Sequence, residues 1–265
     1  MSVYKKNKII TIIIPIYNRT INIKLLKNLY YFKKNLEIFF IDDGSYKLIL
    51  NKNKNILKNY KCVKYFKLNK NFGQSYACNY GLKKTKTKYV WFFDDDDYIK
   101  SSSLKLIFKK LKTDADGYIL PMVQIYKNVK IKEIYPQNKS HSFDNLKANG
   151  QQVSTSCCIF KFSQIKKIKG WDEKLFGGTD TDLFLRFSKI TNFSILKCMP
   201  VIINLSQSNR LTNMVLRQTK AKIYFLMKHW AILSFKRKIY YILTIILLAP
   251  IFYPLKNKII YFLKK

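Results

Sequence analysis

Acidic residues are scarce in this chain, and after Asp182 they stop. The 265 residues carry 15 Asp and Glu against 50 Lys and Arg, a formal charge of +35 at pH 7, and residues 183–265 hold fifteen cations and no carboxylate. Histidine is scarcer still, with His141 and His229 the two in the chain. The five cysteines, Cys62, Cys78, Cys157, Cys158 and Cys198, are odd in number, form no CxxC pair and keep no ligand spacing with either histidine. That argues against a disulfide scaffold and a structural zinc site, and points to a reducing compartment, most simply the cytoplasm. Neither GxxxxGK[ST] nor GxGxxG occurs, which argues against a P-loop nucleotidase and a dinucleotide-binding oxidoreductase. The early apolar run Ile9–Ile14 is short, ends at Pro15 and has no small-residue cleavage site, so it reads as a buried strand and not as a leader.

What is present is enough for a sizeable core. Hydrophobic residues make up 48% and aromatics 15%, fitting one large α/β domain or two small ones. The charge leaves two readings open. Either it serves an anionic partner, nucleic acid or a membrane, or a compositional bias toward Lys, Asn, Ile and Tyr spreads solvated lysines over every surface. Such a bias explains surplus lysine but not four consecutive aspartates. Ten of the fifteen acids fall in three clusters: Asp42 and Asp43; Asp94, Asp95, Asp96 and Asp97; and Asp172, Glu173, Asp180 and Asp182.

Short β-branched or aromatic runs at Ile9–Ile14, Glu37–Ile41, Cys62–Leu68 and Tyr89–Phe93 alternate with helical patterns at Ile21–Phe32, Lys47–Tyr60 and Ser75–Lys84. This alternation implies βαβ units and a mainly parallel sheet covered on both faces. Ligands of such sheets bind beyond the carboxyl ends of the strands. The first two acidic clusters directly follow the second and fourth strands, so both are expected at one edge. Further on, Ser101–Leu111 reads as a serine-capped helix, Gly117–Ile125, Val129–Ile134 and Ser156–Lys161 as strands, Pro136–Ser142 as a polar loop, and Asp180–Lys189 as a helix. One domain is expected over residues 1–210, followed by a basic helical extension over 211–265.

Four adjacent carboxylates repel one another and are normally stable only beside a cation. Without Cys or His ligands nearby, Mg²⁺ or Mn²⁺ fits, and Mg²⁺ is commonly shared with substrate phosphates. Asp180 opens a helical pattern after Gly177 and Gly178. On spacing alone it is either an N-cap or a general base, beside Trp171 as a sugar-stacking platform.

These residues form an ordered set that resembles the family 2 glycosyltransferases, inverting enzymes of GT-A fold, here of the bacterial surface-polysaccharide type. Ile14-Pro-Ile-Tyr-Asn-Arg19 is similar to the family's VPxYNR, and Asp42-Asp-Gly-Ser45 to its DDGS. Asn71-Phe-Gly73 with Ala77, Asn79, Gly81 and Leu82 resembles NxGxxxAxNxGL, and Asp94–Asp97 resembles DxDD with its DXD metal motif. Gly170-Trp171-Asp172-Glu173 resembles GxDE, and Asp180-Thr-Asp-Leu183 with Arg186 resembles EDxDLxxR, with Thr179 where the family usually has Glu. The resemblance implies an α/β GT-A fold and a nucleotide-sugar donor, with a UDP-sugar the leading expectation. It implies that Pro15, Tyr17 and Asp43 meet the base and Asp95 the ribose, with Arg19, Asn71, Gly73 and Asp94 also on the donor side. Asp96 would hold Mn²⁺ or Mg²⁺, Asp180 would deprotonate the acceptor, and Trp171 and Glu173 would shape the acceptor side. Arg210 is a weaker candidate for the leaving group's charge. A metal-dependent nucleotidyltransferase would show a Gly-rich basic loop after the first strand, which is missing. A nucleic-acid groove would not carry four aspartates at its mouth.

Beyond residue 190 the resemblance ends. Ile239–Leu255 is apolar for 17 residues, with Pro250 and Pro254 in its last third, Lys236, Arg237 and Lys238 before it, and Lys256 and Lys258 after it. A spanning helix needs about 20 apolar residues. A full crossing and a hairpin packed on the enzyme are both weighed here. The expectation is a segment lying in the headgroups of an anionic inner-membrane surface. The enzyme would then sit on the cytoplasmic face of the cell membrane, using a glycan or lipid-linked acceptor and no nucleic acid.

Overall fold

The computed structural model describes residues 8–111, 114–137, 139, 141–175, 177–206 and 215–247. Strands and helices alternate first: β1 (Ile10–Ile16), α1 (Ile23–Tyr31), β2 (Leu36–Asp42), α2 (Lys47–Leu57), β3 (Val63–Lys67), α3 (Gln74–Lys84), β4 (Tyr89–Phe92) and α4 (Ser101–Lys110). Each strand is a run too short and too evenly apolar for an amphipathic helix. β1 pairs in parallel with β2 on one side and β4 on the other, and β2 pairs with β3. Helices cover both faces, so Ile12 and Ile13 of β1, pointing oppositely, are both fully buried, as are Phe39 and Trp91. Each such side chain contributes about 1.5–3 kcal/mol by leaving water. α1 begins where the Asn22 side chain accepts the Leu25 amide at 3.2 Å, and this turns Leu25, Leu26 and Leu29 inward. Ser101 does not cap α4: Lys100 holds that position, without a side-chain hydrogen bond.

The later elements are β5 (Gly117–Ile119), β6 (Met122–Tyr126), β7 (Val129–Ile134), α5 (Phe143–Asn149), a 3₁₀ turn (Thr155–Cys157), β8 (Cys158–Lys161), α6 (Phe162–Lys167), α7 (Thr179–Ser188), β9 (Ser194–Ile195), β10 (Val201–Asn204), α8 (Val215–His229) and α9 (Phe235–Leu247). The main sheet has the order β3-β2-β1-β4-β8-β5-β9, in which β8 runs antiparallel to β4 and β5. The expected strand Gly117–Ile125 is thus two strands. Leu120 donates to Cys157 at 2.8 Å, Pro121 has no N–H to continue the ladder, and β6 joins a second sheet of order β10-β6-β7. The result is a mixed α/β sandwich of GT-A type. All five cysteines are free thiols.

Helices α8 and α9 fold back on the domain. Gly177 faces the Ala221 methyl and Gly178 the Phe225 ring, so α8 lies on the start of α7. Ser234 donates its amide to Lys147 at 3.3 Å, and Arg237 reaches the Asn149 carbonyl at 3.2 Å, which seats α9 on α5. The helical extension expected over 211–265 is seen as α8 and α9, with a turn between; residues 211–214 lie outside the described residues, as do Arg210 and residues 248–265. No helix among the described residues is long and apolar enough to cross a membrane.

Candidate active site

The chain runs outward from β1 to β3 and then returns to β4 on the other side of β1, which opens a crevice at the carboxyl ends of β1 and β4. Arg19 follows β1 and Asp94–Asp97 follow β4. The Arg19 guanidinium bridges the crevice, with Nη1 2.7 Å from Asp95 Oδ1 and 3.4 Å from Asp96 Oδ2. A cavity of about 280 Å³ opens there, lined by Arg19, Thr20, Asn22, Asp95, Asp96 and Asn204.

One cation does not neutralise this cluster. Asp94, Asp96 and Asp97 each offer an oxygen within 4.8 Å of the others. Asp97 is 1% exposed; its Oδ1 accepts the Asn204 amide at 3.2 Å, while its Oδ2 is buried without a partner. Burial first, then the charges of Asp94 and Asp96, push the Asp97 carboxyl well above its usual range. Burial likewise raises Asp95 to about 6, against the pull of Arg19. An all-oxygen set with one orphaned, buried carboxylate oxygen fits a hard divalent cation. Asp96 is expected alone as the ligand; the fold sets carboxylate oxygens of Asp94 and Asp97 beside it, and the burial of Asp97 is not revealed by the run of four aspartates.

The loops at this strand edge are tied to one another. Asp42 accepts the Ser45 amide at 2.7 Å and the Tyr65 hydroxyl, while Asn18 donates its amide to Ser45 Oγ at 2.8 Å. The loop bearing Tyr17, 43% exposed, is thereby fixed to the turn after β2. Asp43 spends its two oxygens on the amides of Phe72 and Gly73, at 2.8 Å each, and closes the Asn71–Gly73 segment over the strand end. Gly44 has φ +81°, and an added Cβ would fall 2.4 Å from the Lys70 carbonyl carbon, so only glycine fits where these loops cross. Pro15 lies within β1, half-buried, and Asn71 is exposed on the same edge.

Helix α3 joins the clusters. At its start Gln74 donates to Asp94 at 2.8 Å. Further along, Asn79 donates to the Trp171 carbonyl at 2.9 Å and to Glu173 at 2.8 Å, and accepts the Trp171 amide at 2.9 Å. Between them the buried Cys78 thiol is raised well above its usual range by burial and then by Asp94, Asp180 and Asp43, one from each cluster. The three acidic groups, separate in sequence, converge around this helix. Gln74, and Ser156, whose hydroxyl accepts the Asp94 amide at 3.0 Å, gave no sequence signal as site residues; Asn79 stood in the motif but without a role.

Asp180 does not cap α7. Gly178, at φ +68°, holds the cap position, and Asp180 stands in the first turn, half-buried. Burial raises its carboxyl, with Thr155 pulling the other way. Two residues on, Asp182 is fully buried and met by Arg186 at 2.5 Å, Lys228 at 2.6 Å and His229 at 2.9 Å. Burial alone would raise Asp182, but hydrogen bonds from His229 and Arg186, the Arg186 charge and Lys228 hold it well below the usual carboxylate range. Trp171 is no stacking platform: it is 4% exposed and edge-on to Phe92 at 5.3 Å, leaving only an unpartnered buried indole N–H. Glu173 is exposed on the same segment.

Residues 11–169 match the model of "Glycosyl transferase family 2". The cholesterol galactosyltransferase of Borreliella burgdorferi is 32% identical over 43% of this chain and 34% of its own length. A Campylobacter jejuni protein named GalNAc(5)-diNAcBac-PP-undecaprenol beta-1,3-glucosyltransferase is 26% identical over 72% of this chain and 63% of its own. The chain therefore spans from about a third to about two thirds of these relatives' lengths. Staphylococcus aureus TarS, solved in complex with UDP-GlcNAc, superposes with a TM-score of 0.62 at 19% identity, over 82% of this chain and 66% of that one, a likeness of fold.

Proposed function

The chain belongs to glycosyl transferase family 2, and on that premise we propose that it is an inverting glycosyltransferase moving a sugar from a nucleoside-diphosphate donor to a hydroxyl of a glycan or lipid-linked acceptor. The observation that carries this reading is the bonding of one residue from each acidic cluster to α3 and its cap, Asp43 to Gly73, Asp94 to Gln74 and Glu173 to Asn79, beside the partly neutralised cluster Asp94–Asp97.

Pro15, Tyr17 and Asp43 would take the base and Asp95 the ribose, with Arg19, Asn71, Gly73 and Asp94 around the donor. Asp94, Asp96 and Asp97 would hold Mn²⁺ or Mg²⁺. Such a cation, when bound, supplies positive charge against the departing diphosphate. Asp180 accepts the acceptor hydroxyl's proton; burial lifts its basicity toward working pH, which suits a general base. Attack by that oxygen in line with the departing diphosphate inverts the anomeric carbon in one displacement. Glu173, steadied by Asn79, would face the acceptor. UDP-GlcNAc in TarS supports a UDP-sugar donor. The lipids in the names of the two relatives support a lipid-linked acceptor, and such an acceptor would place the enzyme peripherally on the cytoplasmic face of the membrane.

The test is donor hydrolysis. Purified protein with Mn²⁺ is incubated with a panel of UDP-, GDP- and dTDP-sugars, and release of the nucleoside diphosphate is followed. Slow hydrolysis of one donor is expected; failure to bind or hydrolyse any member would overturn the reading.

A further inference from the structure

On α9, the side chains at spacings of four, three and four residues are Phe235, Ile239, Ile242 and Ile246, and they are 78%, 39%, 39% and 46% open to solvent. That spacing is one helix face. The opposite face carries the packing, with Tyr241 and Thr244 buried and Arg237 on the Asn149 carbonyl. A surface helix ordinarily turns polar residues outward; α9 turns apolar residues both ways. On α8, Ile223 and Met227 are exposed, as is Trp230 just past its end, while Ala221, Phe225 and His229 are buried against the start of α7. The two outer stripes meet at the turn, where Lys238 Nζ lies 4.7 Å over the Trp230 ring.

We propose that the outer face of α8 and α9 is the surface by which the enzyme lies on an anionic lipid leaflet; this deepens the membrane position proposed above and rests on it. Charge selects the occupant. Residues 183–265 contain no acid, and Lys220, Lys236 and Lys238 border the apolar stripes. Anionic headgroups complement that pattern, whereas a second copy would bring like charges face to face. Packing selects the pose. Ser234 and Arg237 seat one face of α9 on α5, so only its outer face is free to meet lipid and the helix lies in the plane of the interface. Orientation follows from the packing. The inner face of α8 touches Gly177 and Gly178, which lead into Asp180. The general base then stands about one helix diameter, ~10 Å, from the lipid-facing side, within reach of a hydroxyl presented at headgroup level. The membrane surface is thus part of the folded enzyme.

The test uses the full chain and flotation with phosphatidylcholine vesicles, with and without phosphatidylglycerol. The wild type is expected to bind the anionic vesicles at least about tenfold more strongly than the neutral ones. A variant with Met227→Ser, Trp230→Ser, Phe235→Ser and Ile239→Ser should lose about tenfold or more of that binding while keeping donor hydrolysis. Lys220→Glu with Lys236→Glu, both on exposed residues, should weaken binding to the anionic vesicles alone. A wild type that binds neither vesicle overturns the membrane position itself. A wild type that binds, with both variants binding equally well, overturns only this surface. Dimerisation of the wild type that the serine variant abolishes makes a second copy the occupant and also overturns it.

Discussion

At the seam between α7 and α8, one carboxylate, Asp182, is met by Arg186, Lys228 and His229, and Lys228 also reaches Asp172 at 2.5 Å. At the edge beyond β4, the ion pairs are reversed in number, with Arg19 bonded to Asp95 and Asp96 while Asp97 keeps a buried oxygen without a partner. Both regions spend the chain's few acids, but to opposite ends. The seam surrounds Asp182 with three basic side chains, is closed, and holds that carboxylate well below its usual range; the edge is open, and burial drives Asp95 and Asp97 above theirs. A fully neutralised carboxylate glues helices, whereas a carboxylate left short of charge awaits a ligand.

Asp180 and Asp182 put the contrast within one helix, and Asp180→Asn should give the largest effect. Transfer is expected to fall by roughly 10²- to 10⁴-fold, the usual worth of a general base, with donor binding retained. Transfer assays beside equilibrium binding of UDP check this, and full transfer by the variant would break the contrast.

Asp182→Ala should act on stability. It leaves Arg186, Lys228 and His229 facing an emptied, buried site, a loss of about 3 kcal/mol by the measure of broken buried pairs, read by urea unfolding. The pH dependence has a definite sign. The folded-state value of Asp182 is depressed, so its contribution is full above the unfolded value of about 3.9 and is lost as pH falls through the folded one. The wild type should therefore lose stability in acid below about pH 4 more steeply than the variant does. Parallel curves would mean that the seam's ion pairs do not carry the difference.

Much of this was legible in the sequence. The strands β1 to β4 announce themselves as short β-branched runs between helical patterns, and the carboxyl-edge rule is enough to bring the first two acidic clusters to one side of the sheet. The second half was less legible because its signals are tertiary. Pro121 divides one apolar run between two sheets, and β9 is two residues long and exists only through its partner β5. Of the site, the motif residues were readable by type and order. Their environments were not: Trp171 looks like a stacking platform until Phe92 covers it, and Asp97 looks like the last of four equals until burial singles it out. His229 and Lys228 lie 47 and 46 residues beyond Asp182, a separation at which no local pattern announces a salt bridge.

The most direct measurement of the central claim is calorimetric titration of UDP, with and without Mn²⁺, into the wild type, Asp96→Ala and Asp182→Asn. UDP binding is expected to be strengthened by Mn²⁺ in the wild type and in Asp182→Asn, and to lose that dependence in Asp96→Ala. Equal, metal-independent affinity in all three proteins would contradict the assignment of the open carboxylates to a cation and its diphosphate.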